Sequence, residues 1–217
     1  MASEVDIANL ALGHLGDNAT VASLDPPEGS AQAEHCARFY PIARDSLLEH
    51  PDTCWKFATK RTTLAELTNS STTWEYAYAK PSDCLRVLAI LSPEATDDQT
   101  TLSIAQPQNY TVELNDDGAE VILTDQEDAV IRYISRTTDT TKFSPLFVMA
   151  LSHHLASMLA GPVLKGDVGA AEAKRQAAVM GAYLTKAIVS DARQHKVTVE
   201  HTPEWLASRG LPSTWSR

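Results

Sequence analysis

Apolar residues recur at helical spacing at the start of the chain and predict a first helix over residues 3–16. Its predicted buried face carries Val5, Ala8, Leu12 and Leu15. Ser3 is the expected N-cap, because its hydroxyl can accept a hydrogen bond from a free amide of the first turn. Gly16 is the expected stop, since glycine readily adopts the left-handed conformation that ends many helices.

A second helix is predicted from a cap at Ser30 to about residue 50, after a loop over residues 17–29. Its apolar face consists of Ala33, Cys36, Ala37, Tyr40, Ala43 and Leu47. Pro41 lies inside this pattern and predicts a kink, because proline has no amide proton to donate to the helix. Pro51 ends the pattern, since a residue that precedes proline is driven out of the helical conformation.

The apolar period changes toward two between about residues 56 and 136, which indicates strands. The strand-like runs are 84–91, 109–114, 120–124 and 129–134. An Asn-Asp-Asp-Gly sequence at 115–118 separates two of these runs and is typical of a hairpin turn. We therefore expect a small antiparallel sheet in this part of the chain.

Helical spacing returns at Ser144 and Pro145, an N-cap followed by proline at the first helical position. This helix is apolar over most of its surface, which predicts a central position, and Gly161 with Pro162 should end it. A last, alanine-rich helix with Asp167 as its expected cap runs to about residue 195. Small side chains allow neighbouring helices to approach closely, either within one molecule or between subunits.

These patterns together predict an α+β fold that is mainly α. A helical bundle comprises residues 1–55 and 144–195, and a β-rich region, 56–143, is inserted between its second and third long helices. Residues 196–217 are predicted to form an extended C-terminal tail. The tail carries the candidate interface residues Trp205, Leu206, Arg209, Leu211 and Trp215. Its tryptophans need a surface that buries them, which is either their own domain or a partner.

Charge and cysteine content narrow the class of protein. The 217 residues include 28 acidic and 18 basic side chains, a net charge of −10. This argues against a nucleic-acid binder, because clustered Lys and Arg hold DNA phosphates, but it fits a path along which DNA slides. The separated Cys36, Cys54 and Cys84 predict neither a disulfide framework nor a zinc site. The N-terminus lacks signal-peptide features and no apolar run approaches membrane-spanning length, so we expect the chain to be made and folded in a reducing cytoplasm.

Candidate reactive groups are few. His153 and His154 suggest a metal site, but neighbours on a helix point about 100° apart and no third ligand is suitably spaced. Glu34, Asp45 and Glu49 would serve a glycosidase only as a pair facing each other across a cleft, and a solvated or salt-bridged helix face is the simpler prediction. Neither a phosphate-binding loop nor a nucleophile elbow occurs in the sequence. We predict no catalytic, cofactor-binding or metal-binding residues.

Two blocks of large aromatic residues flank the start of the β-rich region. We interpret these residues as structural anchors of the core and not as a ligand cage: Trp55, Phe57, Trp74, Tyr76 and Tyr78. The first block follows directly on the end of the second predicted helix. The chain thus runs from a helix into a β-region at a point fixed by large apolar groups.

The order of several short motifs resembles the tail tubular protein A family, the head-to-tail adaptors (connectors) of short-tailed bacteriophages. The matching segments are Ile7-Ala-Asn-Leu-Ala-Leu-Gly-His-Leu-Gly16, residues 40–48 with Arg44-Asp45, His50-Pro51, Trp55-Lys-Phe-Ala-Thr-Lys-Arg61, residues 74–78, Pro81-Ser-Asp-Cys-Leu-Arg86 and Ile131-Arg-Tyr-Ile134, then Asp139, Phe143 and the helix after Pro145. They cover roughly residues 5–195. The chain departs from the family at Asp52-Thr-Cys54, which separates Pro51 from Trp55, and at Lys80, where an apolar residue is usual.

The resemblance implies a structural virion protein and not an enzyme. Such adaptors form a ring, usually of twelve copies, beneath the portal, extend the DNA channel, and offer a platform for nozzle or tubular protein B-like proteins and for tail fibres. The resemblance further implies assembly in the host cytoplasm, no cofactor, no membrane and no sequence-specific DNA binding. Two alternatives stay open: a peptidoglycan hydrolase activity carried by the same adaptor, and a cytoplasmic binding module without a phage role.

Overall fold

Helices and sheets both contribute to the fold, which confirms the predicted α+β class. The structure is a computed structural model and describes residues 2–69, 71–94 and 107–194. Within these ranges the chain forms four α-helices and two small antiparallel sheets. The predicted tail, with Trp205, Leu206, Arg209, Leu211 and Trp215, lies outside the described residues.

The first two helices begin at the serines that were predicted to cap them. Helix α1 comprises Glu4–His14, and the Ser3 hydroxyl accepts a hydrogen bond from the Asp6 amide while the Asp6 carboxylate accepts one from the Ser3 amide. This reciprocal capping box satisfies two amides that have no partner within the helix. Helix α2 comprises Ala31–Leu48, has Ser30 as its cap, and continues through its internal proline.

Helix α3, Pro145–Leu164, begins at the predicted Ser144 cap but ends later than predicted. Gly161 and Pro162 lie inside its last turn, so the prediction that they stop the helix is wrong. Proline removes one amide donor, yet the turn around it is still closed by the Lys165 amide, which donates to the Gly161 carbonyl oxygen at 3.0 Å. The helix therefore continues for two residues past the proline.

Helix α4, Gly166–Ala192, follows at once. Its N-cap is Lys165, with a φ of 56°, and the prediction that Asp167 caps it is wrong. Asp167 instead lies in the first turn, where the positive end of the helix dipole stabilises its carboxylate. Gly169 lets α4 start against the end of α3, because a Cβ atom there would lie 2.7 Å from the Ala160 carbonyl oxygen.

The β-rich region forms two sheets where one was predicted. The strands in chain order are β1 (Thr59–Thr63), β2 (Glu66–Leu67), β3 (Tyr76–Ala79), β4 (Cys84–Leu91), β5 (Tyr110–Leu114), β6 (Glu120–Thr124) and β7 (Val130–Ser135). The first sheet has the order β1-β7-β4 and the second β2-β3-β6-β5. All neighbouring strands pair antiparallel. A short 3-10 helix, Lys56–Ala58, leads from the α2 side into β1.

The two sheets share one hydrophobic cluster. Ile131 and Tyr133 of β7 belong to it together with Tyr78 of β3 and Ile122 of β6. Each sheet thus covers an apolar face of the other, as in a small sandwich. A period of two in the sequence shows that strands exist but not which strands pair, and this is why a single sheet was predicted.

The larger core lies among the helices, with α3 at its centre. Phe147, Leu151, Leu155 and Leu159 of this helix are fully buried. Helix α3 is long and apolar enough to cross a membrane, with a mean hydropathy of 1.4, so the expectation that no run has this length was wrong. However, 56% of that stretch is buried inside the protein, and its apolar surface is used for packing against α1, α2 and α4.

Candidate functional site

Several residues of the short motifs noted in the sequence lie where α2 meets the first sheet. We call this region the helix–sheet joint and define it by Arg44, Asp45, Trp55, Arg86 and Arg136. The first four belong to the matching motifs, and Arg136 follows directly on β7. Their side chains connect α2, the loop after it, and the strands of the first sheet, as the following contacts show.

Trp55 closes the C-terminal end of α2. Its side chain is 1% exposed, and the indole N–H donates to the Leu47 carbonyl oxygen at 2.9 Å. The helical partner of that carbonyl would be the amide of Pro51, which has no proton. Trp55 therefore supplies the missing donor, and its ring meets the Phe147 ring of α3 edge to face, with centroids 5.1 Å apart.

Arg86 of β4 holds the loop between α2 and the 3-10 helix. Its guanidinium donates from one nitrogen to the His50 carbonyl oxygen at 2.8 Å and from the other to the Thr53 carbonyl oxygen. A planar guanidinium can fix two acceptors at once. The loop includes Asp52-Thr-Cys54. Arg86 thus fastens this loop to the first sheet.

Asp45 connects α2 to the chain that follows β7. One carboxylate oxygen accepts from the Arg44 Nε at 2.8 Å, and the other accepts from the Arg136 Nε at 2.9 Å. Arg44 is only 6% exposed, so Asp45 compensates a nearly buried positive charge. Because both of its oxygens are engaged by guanidinium groups, Asp45 is suited to a structural role and not to acid–base chemistry.

Asp83, just before β4, ties together the three strands of the first sheet. It accepts a hydrogen bond from the Lys60 ammonium of β1 at 2.7 Å and one from the Tyr133 hydroxyl of β7 at 2.9 Å. The hydrogen bond from Lys60 lowers the pKa of the Asp83 carboxyl. Burial, and secondarily the hydrogen bond to Asp83, raises the pKa of Tyr133 to about 12. The motif residues of this strand therefore stabilise the sheet itself.

The five aromatic anchors fall into separate hydrophobic clusters. Trp55 and Phe57 belong to the helical core, Tyr76 and Tyr78 to the cluster between the sheets, and Trp74 packs on the other face of the second sheet. Tyr78 is 1% exposed, whereas Phe57, Trp74 and Tyr76 are half-buried. Because the structure does not bring them together, these rings do not form an aromatic cage for a ligand.

A cleft of about 640 Å³ opens beside the joint, between the end of α2 and the sheets. The charged residues that line it are Glu49, Lys80, Asp117, Glu120 and Arg136. The Lys80 ammonium lies 2.9 Å from the Glu120 carboxylate. Glu34 and Glu49 are exposed on the α2 side. Interspersed charges of both signs are typical of a polar contact surface. Three carboxylates line the same cleft, as a hydrolase site would require.

A pair of histidines lies where α1, α3 and α4 meet. The His14 and His153 rings stack with centroids 3.9 Å apart and planes 11° apart, and the Tyr183 ring stacks on His153 at 5.3 Å. We call these three rings the histidine stack. His154, the neighbour of His153, faces a different helix, since its Nε2 lies 3.0 Å from the Ser46 Oγ of α2.

Hydrogen bonds assign one proton to each ring of the pair. Ser152 Oγ donates to the Met149 carbonyl oxygen, so it accepts from the His14 Nε2 at 3.1 Å. The Gln176 amide nitrogen donates to the His14 carbonyl oxygen, so the amide oxygen accepts from the His153 Nδ1 at 2.6 Å. Burial, reinforced by the charge on a protonated His153, lowers the pKa of His14.

The stack is not a metal site. Ring lone pairs lie in the ring planes, and two nearly parallel planes 3.9 Å apart cannot direct them at one ion. Within the part of the chain that the structure describes, no group of three or more His, Cys, Asp or Glu side chains is placed to hold a metal ion. What the stack can do chemically is take up a proton.

The sequence analysis missed both Arg136 and the histidine stack. Arg136 lies outside every motif, and only the pairing of β7 places it beside Asp45. His14 carried a signal, because it continues the helical spacing of the buried Ile7 and Ala11 on the same face of α1. No protein-family description and no curated protein matches this sequence.

Proposed function

We propose that this protein is a structural head-to-tail adaptor of a short-tailed bacteriophage. In this role it forms a ring of twelve copies beneath the portal and extends the DNA channel. It also provides the attachment platform for nozzle or tubular protein B-like proteins and for tail fibres. The observation that carries the proposal is that residues of three motifs separated along the chain, among them Asp45, Trp55 and Arg86, meet in the helix–sheet joint.

The joint suits a subunit that connects two assemblies. Trp55 completes the end of α2, Arg86 ties the next loop to β4, and Asp45 ties α2 to the chain after β7. A subunit that touches the portal on one side and the nozzle on the other has to keep its parts in a fixed relation. In this proposal α1 to α4 act as one bundle over residues 1–55 and 144–195, with the β-rich region 56–143 as its insert.

Contacts to other subunits would use exposed apolar side chains and the tail. On the helices Ile42 is 55% exposed, Val168 69% and Val189 48%, and Leu114 at the end of β5 is 68% exposed. Single exposed apolar residues are ordinary, and the proposal requires that some of these lie against neighbouring copies in the ring. The tail, 196–217, is proposed to dock on the portal or on the adjacent adaptor, since tryptophan is enriched among interface hot spots.

The channel of the ring is proposed to be acidic or mixed in charge. A continuous row of Lys and Arg would hold DNA through counterion release and hinder its passage. The 28 acidic and 18 basic residues permit such a lumen. A ring structure with an uninterrupted basic lumen would contradict this part of the proposal.

Co-sedimentation with the portal protein of the same phage tests the adaptor role. We expect the protein to sediment with portal rings and to stay behind when the portal is left out or unfolded. An Arg86→Ala variant, in which the loop after α2 loses its tie, is expected to bind more weakly, whereas Lys174→Ala on the exposed face of α4 serves as a matched control for lost positive charge. A protein that remains monomeric with the portal would favour the cytoplasmic binding module.

The hydrolase alternative is tested at the cleft. Peptidoglycan hydrolysis requires a general acid and a second carboxylate on either side of the bond. Glu49, Asp117 and Glu120 are the carboxylates that line the cleft. Release of muropeptides by the purified protein, abolished by Glu49→Gln or Asp117→Asn, would reverse the ranking of the two functions. We expect no release.

A further inference from the structure

The histidine stack lies outside the helix–sheet joint, although His14 belongs to the first matching motif. It joins three helices, since His14 ends α1, His153 lies in the middle of α3 and Tyr183 lies in the second half of α4. The Gln176 side-chain amide lies beside the stack and hydrogen-bonds both the His14 carbonyl oxygen, at the end of α1, and the His153 ring. Two stacked imidazole rings are therefore among the contacts that hold the end of α1 in place.

An added proton would find no free counter-charge in this network. Glu172 of α4 faces it, but its carboxylate already accepts from the Arg175 guanidinium at 2.6 Å and from the Gln176 amide at 2.6 Å. On the other side of the stack the Lys186 ammonium lies 5.3 Å from the Tyr183 ring and adds positive charge. From α1 and α3, the titratable groups that face the stack are His14 and His153 themselves. A positive charge on the buried His14 ring would thus lie in a network whose carboxylate is already engaged.

We propose that the histidine stack is a pH-sensitive joint, which holds the end of α1 against α3 and α4 near neutral pH and releases it on acidification. In the docked state the His14 ring donates an N–H to Ser152 and the His153 ring donates an N–H to Gln176. When α1 separates, the His14 ring is solvated and can take a second proton. Acid therefore favours the separated state.

The direction follows from linkage. The folded-state pKa of His14 lies below its value in the separated or unfolded chain, because the ring is buried beside His153. The separated state therefore binds more protons as the pH falls below about 6.5. Docking is at full strength above that pH and weakens below it. At about pH 5.5, one suppressed protonation shifts the opening equilibrium by up to about tenfold.

Hydrogen exchange of the full-length protein, followed by mass spectrometry at about pH 7.5 and about pH 5.5, tests this inference. After correction for intrinsic exchange rates, peptides from α1 should lose protection by several-fold on acidification. Peptides from β6 and β7 should change little. Equal protection of α1 at the two pH values would overturn the proposal.

Two variants separate the stack from general acid sensitivity. His14→Gln keeps an N–H donor but cannot take up a proton, so we expect the acid response of α1 to disappear. His154→Gln, on the same helix as His153 but facing Ser46, should retain the response. If His14→Gln responds like the wild type, or if His154→Gln abolishes the response, the histidine stack does not cause the pH response of α1. Should His14→Gln fail to fold, His14→Asn, which also keeps an N–H donor and cannot take up a proton, provides the same comparison.

Discussion

Trp55 is expected to be among the most sensitive positions of the helix–sheet joint. Truncating a buried tryptophan to alanine typically costs about 3–5 kcal/mol, because the apolar contacts are lost and a cavity remains. The ring is 1% exposed, and its indole N–H is the donor for the Leu47 carbonyl oxygen. Trp55→Phe retains an aromatic ring but leaves this buried carbonyl without a donor, a loss of about 1–3 kcal/mol.

These two losses can be separated by thermal unfolding followed by far-UV circular dichroism. For a chain of this size, 1 kcal/mol corresponds to a change in Tm of about 2–4 °C. Trp55→Ala should therefore lower Tm by about 6–20 °C and Trp55→Phe by about 2–12 °C. Trp74→Phe is the control, because Trp74 is half-buried on the far face of the second sheet. A Trp55→Ala protein that unfolds within a degree or two of wild type would refute the assignment of Trp55 as the closing residue of α2.

Three further outcomes are expected. Gly169→Ala should destabilise the protein, because the new methyl group meets the backbone of α3 at 2.7 Å, whereas Gly181→Ala, with nothing within 4 Å, should raise stability by about 0.5–1 kcal/mol; urea unfolding compares the two. The Asp83 carboxyl has a lowered pKa in the fold, so the ionised form stabilises the folded protein above about pH 4, and this stabilisation is lost as the pH falls further. Asp83→Asn should therefore flatten the acid side of a plot of Tm against pH. Asp117→Asn, in an exposed turn, is the control and should not flatten it. Deleting residues 200–217 should leave Tm nearly unchanged but prevent assembly on the portal, and a truncated protein that unfolds would place the tail in the core instead.

Parts of this fold were predictable because local physics decides them. The caps at Ser3, Ser30 and Ser144 lie where predicted, because a serine hydroxyl before an apolar stripe can accept a hydrogen bond from a free amide of the first turn. The bounds of β4 and β6 match the predicted runs, because each is apolar and β6 follows a strong turn sequence. For these elements the sequence signal and the tertiary environment agree.

Other parts depend on partners that are distant in sequence. Strand β1, Thr59–Thr63, contains no apolar side chain and forms because β7 offers it an edge. Helix α3 continues past Pro162, and the Lys165 amide still closes its last turn on the Gly161 carbonyl oxygen, although proline by itself predicts a stop. The histidine stack forms only when the end of α1 lies beside the middle of α3. The sequence therefore shows the adjacent pair His153 and His154, but not the spatial pair His14 and His153.

The mass of the complex with the portal tests the adaptor proposal most directly. Native mass spectrometry of portal rings, measured before and after the purified protein is added, counts the subunits that bind. The proposal predicts a single species heavier by twelve copies of the 23.6 kDa chain, with no stable intermediate numbers at saturation. Portal rings whose mass is unchanged at saturating protein would contradict the proposal.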